Sequence, residues 1–281
     1  MWVIKLPTDV QQVLTTLRTA GYEAYVVGGC LRDLLLQIEP KDWDVTTNAL
    51  PEQIQKVFPK SLYLNTFGTV TVRSGAMEVE VTTYRADGAY SDHRHPDQVK
   101  FGVSLTEDLA RRDFTVNALA YDGDNIIDEW SGQADLKAGI IRAVGDPATR
   151  FQEDALRMLR AIRFSSQLRF TIEPNTFQAI HTQAKLIQHV SAERIRDELV
   201  KMLQTEDAYR AIWQLHLTGL LQLIMPELEE GVGMEQNLHH IYTVFAHNVF
   251  AMQFCPSDDW RVLLAALLHD VGKARVKEGT G

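Results

Sequence analysis

The hydrophobic pattern of the chain changes near Gly145-Asp146-Pro147, and this change constrains the fold more than any other feature. Before it, short apolar runs typical of strands alternate with segments of helical period. After it, nearly every segment has helical period. We therefore predict an α+β protein. A head with a small mixed sheet spans 1–145, an all-helical part follows over 146–231, and a further helical segment spans 232–281.

The composition excludes several classes of protein. Of the 281 residues, 45% are hydrophobic and 9% aromatic, which excludes a mainly disordered chain. No run of 18 apolar residues occurs, and the first residues lack a signal-peptide pattern. The net charge of −9 argues against a protein coated in basic surface, although it allows a local basic patch for nucleic acid. Cys30 and Cys255 cannot form a disulfide framework, so we expect a protein of the reducing cytoplasm. Because no apolar run is long enough, we expect no membrane segment.

The local signals predict most elements individually. Residues 8–20 are predicted as a helix that Thr8 or Asp9 caps and Gly21 ends, and 24–27 as a buried strand. The further predicted elements are a helix over 30–37, a strand over 43–47, a helix from Pro51, a hairpin of 69–73 with 77–84, a polar loop over 85–98, and helices over 151–168, 174–187, 191–203, 206–216 and 261–271.

A glycine pair and paired carboxylates form the first group of candidate residues. Gly28-Gly29 follows a predicted strand and opens a helix, a geometry in which backbone amides approach phosphate oxygens, and Arg32 adds a bidentate donor. Asp42 and Asp44 are two apart on a predicted strand, so both would face one side. With Glu80 as a third carboxylate, the group suits a divalent cation. The alternative is a strand–turn–helix with exposed carboxylates.

The second group is the segment DLARRDFTVNA at 108–118. Its adjacent Arg111 and Arg112 stand beside Asp113 and Asn117, and such charges are costly to bury without partners. We interpret the segment as a candidate binding site, and the alternative is a solvated helix start.

The third group is a series of charged residues in the segment 150–164. They recur at every third position: Asp154, Arg157, Arg160 and Arg163. On one helix this spacing makes a slanting stripe of charge. The alternative is an ion-paired surface helix in which Asp154 binds Arg157.

The fourth group is LLHDVGK at 267–273, with an upstream histidine. His247, His269 and Asp270 have the side chains of a divalent-metal site, and a metal-dependent phosphohydrolase is the corresponding function. The alternative is a packing remnant that binds no metal.

Together these segments resemble the class II tRNA nucleotidyltransferases (CCA-adding enzymes) and the related poly(A) polymerases, in the DNA polymerase β-like superfamily. The resemblance covers roughly residues 20–275. GGCLRD with DWD resembles the first motif of the family, RRDFTVNALAYD the second, and EDALR its nucleotide-reading motif. SAERIRDEL resembles the motif that follows, and LLHDVGK the start of an HD domain that some members carry.

The resemblance implies a polymerase β-like head followed by a helical neck and body. It implies template-independent addition of C, C and A, from CTP and ATP, to the tRNA 3′ end, with release of pyrophosphate. Addition of A alone is an alternative, and poly(A) polymerase activity a weaker one. Mg²⁺ is the implied cofactor, and no obligate protein partner is implied. The implied site residues are Asp42 and Asp44 for two Mg²⁺ ions with Glu80 as third carboxylate, Gly28, Gly29, Arg32 and Arg112 for phosphates, Asp113 and Asn117 for the nucleotide, and Asp154, Arg157, Arg160 and Arg163 for the base.

Chemistry supports the implied base recognition. Cytosine and adenine each present an amine beside a ring acceptor, whereas uracil and guanine present a carbonyl beside N–H. A carboxylate next to a guanidinium therefore matches C and A. We predict that Asp154 and Arg157 select these bases without a nucleic-acid template.

Overall fold

The computed structural model describes residues 4–63, 68–88, 99–236 and 241–276. The chain divides into two compact units. The first holds the described residues up to Ala138 together with Arg142–Asp146, and the second holds Gly139–Ile141 and the residues from Pro147 onwards. A separate segment over 232–281, the third part of our predicted division, stays a prediction.

The described residues of the first unit form a mixed sheet of seven strands. In chain order its strands are β1 (Ala24–Val27), β2 (Asp44–Thr47), β3 (Leu62–Tyr63), β4 (Thr69–Ser74), β5 (Met77–Thr83), β8 (Ala120–Tyr121) and β9 (Ile126–Ile127); β6 (Arg85–Asp87) and β7 (Val99–Phe101) form a separate antiparallel pair. The spatial order is β3-β4-β5-β2-β1-β8-β9, and only β2 and β5 run parallel. The helices are α1 (Thr8–Thr19), α2 (Gly29–Leu35), α3 (Pro51–Val57), α4 (Leu105–Ala110) and α5 (Gly132–Ala138).

Local signals account well for the centre of this sheet. The strand predicted over 24–27 is confirmed as β1, and Pro51 opens α3 as predicted. The predicted hairpin is β4 with β5, closed by Gly75-Ala76 between the paired Ser74 and Met77. Gly75 has a φ of +57°, which a residue without Cβ adopts readily. The alternating apolar residues of both strands are buried, which holds the sheet in register.

Three predicted boundaries in this unit are wrong. The N-cap of α1 is Pro7, whose carbonyl accepts the Gln11 N–H at 3.0 Å, and neither Thr8 nor Asp9 caps the helix. The second strand begins at Asp44, so Asp42 precedes it in a bend. The predicted polar loop begins with a strand, because β6 pairs with β7. Residues 89–98 of that loop lie outside the described residues.

The described residues of the second unit are helical apart from one short parallel pair of strands. That pair joins β10 (Ile140–Ile141) to β11 (Thr171–Ile172). The helices are α6 (Pro147–Glu153), α7 (Leu156–Leu168), α8 (Pro174–Gln183), α9 (Ala192–Leu203), α10 (Ala208–Leu217), α11 (Leu220–Ile224), α12 (Pro226–Glu229), α13 (Val244–Gln253), α14 (Trp260–Leu268) and α15 (Lys273–Val276). Helix α7 packs against α9 and α10, and α13 against α10 and α14. None of the helices in the described ranges is long and apolar enough to cross a membrane.

The predicted continuous helix over 151–168 is wrong. The chain forms α6 and α7 with a break at Asp154-Ala155. The Asp154 carboxylate accepts the Leu156 N–H at 3.1 Å. A side chain that binds nearby backbone in this way competes with the helical carbonyl, and it favours a new helix start. The apolar face of α7 is nevertheless buried as its helical period predicts.

Candidate active site

The turn from β1 into α2 brings a backbone, a cation and a carboxylate together. Gly28 is the N-cap of α2, with φ 75° and ψ −143°, a backbone conformation that residues other than glycine rarely adopt. A Cβ at Gly28 would lie 3.0 Å from Arg112 Nη1 and 3.4 Å from Asp44 Oδ2. The missing side chain thus leaves room for both charged groups beside the backbone at the start of α2.

The predicted carboxylates approach one another at the start of β2. Asp44 is the first residue of β2 and the register partner of Glu80 on β5, so their side chains share a face of the sheet. Burial raises the pKa of Asp44 to about 6; Arg112 opposes this, whereas Glu80 and Asp42 add to it. Asp42 is exposed and precedes the strand, so strand alternation does not explain its position.

Oxygen ligands of this kind fit Mg²⁺. The cation prefers carboxylate oxygens and retains several waters. A divalent cation would offset the repulsion that contributes to the raised pKa of Asp44. Among the described residues, the head carboxylates do not bring three ligand atoms within 4.8 Å of one another.

Asp108 organises the arginines of the second motif. Its carboxylate is fully buried and accepts from Arg111 Nε and Nη2 at 3.0 and 2.9 Å, and from Arg112 Nη2 at 3.5 Å. It also accepts from the Thr46 hydroxyl at 3.2 Å and the Arg85 N–H at 3.3 Å. Burial alone would raise the pKa of Asp108, but the two guanidinium groups hold it below its usual value. A solvated helix start, the alternative interpretation, is therefore wrong.

Arg112 remains only partly satisfied by this contact. Its Nε is buried and has no hydrogen-bond partner within the part of the chain that the structure describes. The Nη1 position beside Gly28, rather than the buried Nε, is where Arg112 would offer donor capacity to a bound anion.

A second network connects the start of α2 to the residues after Arg112. Arg32 is only 4% exposed and donates to Asn117 Oδ1 and Asp33 Oδ1, each at 2.8 Å. Asn117 donates in turn to Asp113 Oδ1 at 3.1 Å. The structure therefore brings together four of the predicted nucleotide-binding positions, Arg32, Arg112, Asp113 and Asn117, around the glycine turn.

The second unit places the predicted base-reading residues in separate ion pairs. Asp154 binds Arg194 of α9, with Nη1 to Oδ1 at 3.2 Å and Nη2 to Oδ2 at 2.8 Å. Arg157 is 8% exposed and donates to Glu153 Oε2 at 2.6 Å and to the Arg150 carbonyl at 3.2 Å. The alternative pairing of Asp154 with Arg157 is wrong, and so is the single helical stripe, because Asp154 lies in the break before α7.

Arg160 and Arg163 cluster around Phe164 of the same helix. Their Cζ atoms lie 5.3 and 4.1 Å from its ring centroid. Arg163 Nε also donates to Glu198 Oε2 at 2.6 Å. Burial alone would raise the pKa of Glu198, but Arg163, with smaller effects from Arg160 and Lys201, holds it below its usual value.

The predicted site residues do not include the two ion-pair partners from α9. Arg194 and Glu198 lie in the segment SAERIRDEL, and a spacing of four places them on one face of a helix. That spacing was the available signal. Asp108 lies in the segment DLARRDFTVNA, and its burial results from tertiary packing, which leaves no local signal in the sequence.

The three predicted ligands of the fourth group also meet. His247 Nε2 lies 3.1 Å from His269 Nε2, and Asp270 Oδ2 lies 3.3 and 3.4 Å from these two nitrogens. Within the described residues this is the one group with three ligand atoms within 4.8 Å of one another. Lys273 Nζ, however, binds the same Asp270 oxygen at 2.5 Å, which would compete with a cation.

Comparisons with known proteins identify the family. Residues 24–142 match the Poly A polymerase head domain, and 169–231 match a family described as the probable RNA and SrmB-binding site of polymerase A. The Bacillus stearothermophilus CCA-adding enzyme, solved in complex with CTP, is 35% identical, with a TM-score of 0.74 over 95% of this chain and 68% of that chain. The chain belongs to the CCA-adding enzyme family. The resemblance inferred from the motifs and the α+β class are thereby confirmed.

Curated CCA-adding enzymes are more similar still in sequence. That of Lactobacillus helveticus is 54% identical over 205 residues, which are 71% of this chain and 51% of the relative. That of Oceanobacillus iheyensis is 52% identical over 202 residues, 71% of this chain and 50% of the relative. The chain thus spans about half the length of these CCA-adding enzymes. The family matches end at residue 231, so the HD-type segment stays a prediction.

Proposed function

We propose that this chain carries the nucleotidyltransferase site of an enzyme that adds C, C and A to the tRNA 3′ end. The nucleotides come from CTP and ATP, and pyrophosphate is released. The observation that carries the proposal is the meeting of the Gly28 backbone, Arg112 and Asp44, with Glu80 in register beside Asp44. The names of the relatives, CCA-adding enzyme, and the CTP complex of one of them support it.

The first unit would hold the triphosphate. The Gly28-Gly29 turn lets the backbone approach phosphate oxygens, and Arg112 offers fixed positive charge from a guanidinium anchored by Asp108. Arg32 keeps the start of α2 joined to Asn117. Asp42, Asp44 and Glu80 would hold Mg²⁺, which when bound neutralises charge on the triphosphate and favours an ionised RNA 3′-hydroxyl.

Residues of the second unit would read the base. Asp154 accepts from the exocyclic amine of C or A, and Arg157 donates to the ring nitrogen beside it. Uracil and guanine place a carbonyl against the carboxylate and an N–H against the guanidinium, so both contacts are repulsive. Arg160 and Arg163, held by Phe164 and Glu198, would complete the pocket.

Primer extension tests the proposed product. Three tRNA transcripts, ending at the discriminator base, at C and at CC, are incubated with Mg²⁺ and CTP, ATP or both. Addition of C, C and A that then stops supports CCA addition. A added only to the CC transcript indicates an A-adding enzyme, and long A tracts indicate a poly(A) polymerase. An Asp44→Asn chain is the matched control, and equal activity in it would contradict the assigned site.

The second candidate is an HD-type metal phosphohydrolase, favoured by the convergence of His247, His269 and Asp270. Mn²⁺ binding is measured by calorimetry on the whole chain, with His269→Ala as the comparison. Opening of 2′,3′-cyclic phosphate ends by water to 2′- or 3′-phosphomonoesters is then assayed, together with release of phosphate from those monoesters by a second hydrolysis. Equal Mn²⁺ binding in both chains, or no hydrolysis of either the cyclic phosphate or the monoester, would contradict this candidate.

A further inference from the structure

A guanidinium from α9 holds the carboxylate that would recognise the base. Arg194 binds both oxygens of Asp154 in a fork, at 3.2 and 2.8 Å, although the two residues are forty apart in sequence. We propose that Arg194 is a positioning residue that sets base selectivity by fixing Asp154 as a hydrogen-bond acceptor in one orientation. This proposal rests on the function proposed above, in which Asp154 contacts the base.

The position of Asp154 makes such an anchor necessary. It lies in the break between α6 and α7, outside the regular helical backbone. Oδ1 accepts from Arg194 and from the Leu156 N–H at 3.1 Å, whereas Oδ2, among the residues that the structure describes, accepts from Arg194 alone. Each carboxylate oxygen has two lone-pair sites. These contacts occupy both lone-pair sites of Oδ1 and one of the two on Oδ2. The remaining site, on Oδ2, is the acceptor that Asp154 would offer to the base.

The fork matters because selection here depends on the order of an acceptor and a donor. A carboxylate that rotates, or that is displaced by a fraction of an ångström, no longer opposes the amine of C or A. It also no longer repels the carbonyl of U or G. Selectivity therefore falls twice, because the correct base loses a hydrogen bond and the incorrect base loses a repulsive contact. A planar guanidinium fixes the plane of the carboxylate, which the point charge of a lysine cannot do.

The other member of the reading pair has its own anchor. Arg157 donates to Glu153 and to the Arg150 carbonyl. The carboxylate and the guanidinium are therefore held apart by different partners and do not bind each other. Arg194 is the anchor specific to the acceptor.

Helix stability does not explain the fork. Arg194 lies in the first turn of α9, at the end where the helix dipole disfavours positive charge. Removing its charge therefore does not weaken the helix through the dipole. Two residues on, Arg196 is exposed and binds its neighbour Asp197, which makes Arg196→Gln a matched control on the same helix.

The experiment compares wild type, Arg194→Lys, Arg194→Gln and Arg196→Gln. For each chain, kcat/KM is measured with CTP and with UTP on the transcript that accepts C, and with ATP and GTP on the transcript that ends in CC. The selectivity ratio is kcat/KM for CTP divided by that for UTP, and likewise for ATP and GTP. It is independent of the fraction of active protein, so partial unfolding of a variant does not change it. The ratio of dissociation constants for the same pairs of nucleotides, measured by calorimetry, reports ground-state selectivity without catalysis.

We expect Arg194→Gln to lose roughly ten- to hundredfold in selectivity, Arg194→Lys to lose less, and Arg196→Gln to match wild type. Unchanged selectivity in Arg194→Gln, whatever its rate, would overturn the proposal. Tighter CTP binding with unchanged selectivity would also overturn it, because Arg194 would then only compete with the base. Failure of the wild type to add or bind any nucleotide would instead contradict the proposed function.

Discussion

Replacing Gly28 by alanine tests the candidate active site most directly. The residue has φ 75° and ψ −143°, so alanine there stores backbone strain of about 1–3 kcal/mol. Its Cβ would also press on Arg112 Nη1 at 3.0 Å and contact Asp44 Oδ2 at 3.4 Å. The guanidinium or the turn must move by a few tenths of an ångström, away from where it would meet phosphate.

Gly102→Ala separates these two effects. Gly102 has nearly the same φ, 76°, but a Cβ there meets no atom of the described residues within 4 Å. Both variants should therefore unfold at lower temperature, by about 2–4 °C per kcal/mol. Only Gly28→Ala should also lose activity, by about a hundredfold in kcat/KM, the scale seen when one charge-stabilising donor is misplaced.

The assay is single-nucleotide addition of A to a transcript that ends in CC, with melting temperature measured in parallel. The reasoning would be refuted if Gly28→Ala retained activity within about threefold of Gly102→Ala. Equal losses in both would attribute the effect to backbone strain rather than to Arg112.

Three further predictions follow from the contacts described. Exchanging the charges of Asp154 and Arg157 should shift selection towards UTP and GTP, and unchanged selectivity in the addition assay would contradict the base-reading role. The raised pKa of Asp44, about 6, means that the folded chain binds more protons than the unfolded one between about pH 4 and 6, so this carboxyl lowers stability as pH rises through that range. In metal-free buffer at pH 7.5, Asp44→Asn should therefore raise the free energy of unfolding by up to about 3 kcal/mol, and the melting temperature with it. At pH 4 the substitution should stabilise the protein little, and a lower melting temperature of the variant at pH 7.5 would contradict the prediction. The Cys30 thiol donates to the Val27 carbonyl, and burial raises its pKa to about 12. At pH 8 a thiol reagent should therefore modify Cys255 quickly and Cys30 slowly. Rapid reaction of both thiols in the folded protein would contradict the burial of Cys30.

Elements with strong local signals were predicted well. Strand β1, the start of α3 at Pro51 and the β4–β5 hairpin each depend on residues within a few positions of one another. The polar segment before β7 was predicted poorly, because β6 is a strand only through its pairing with β7. The prediction of a continuous helix through Asp154 was wrong for a related reason. The spacing of apolar residues does not indicate that the Asp154 side chain binds the backbone N–H of Leu156.

The sequence by itself determined the class of fold, the family and the residue types of the site, because these depend on periodicity and on ordered short motifs. The tertiary structure decided which charges are paired. Arg32 meets Asn117 across 85 positions, Arg194 meets Asp154 across forty, and Asp108 becomes the buried anchor of two arginines. Partners of this kind are selected by the packing of distant elements, which leaves no periodic trace along the chain.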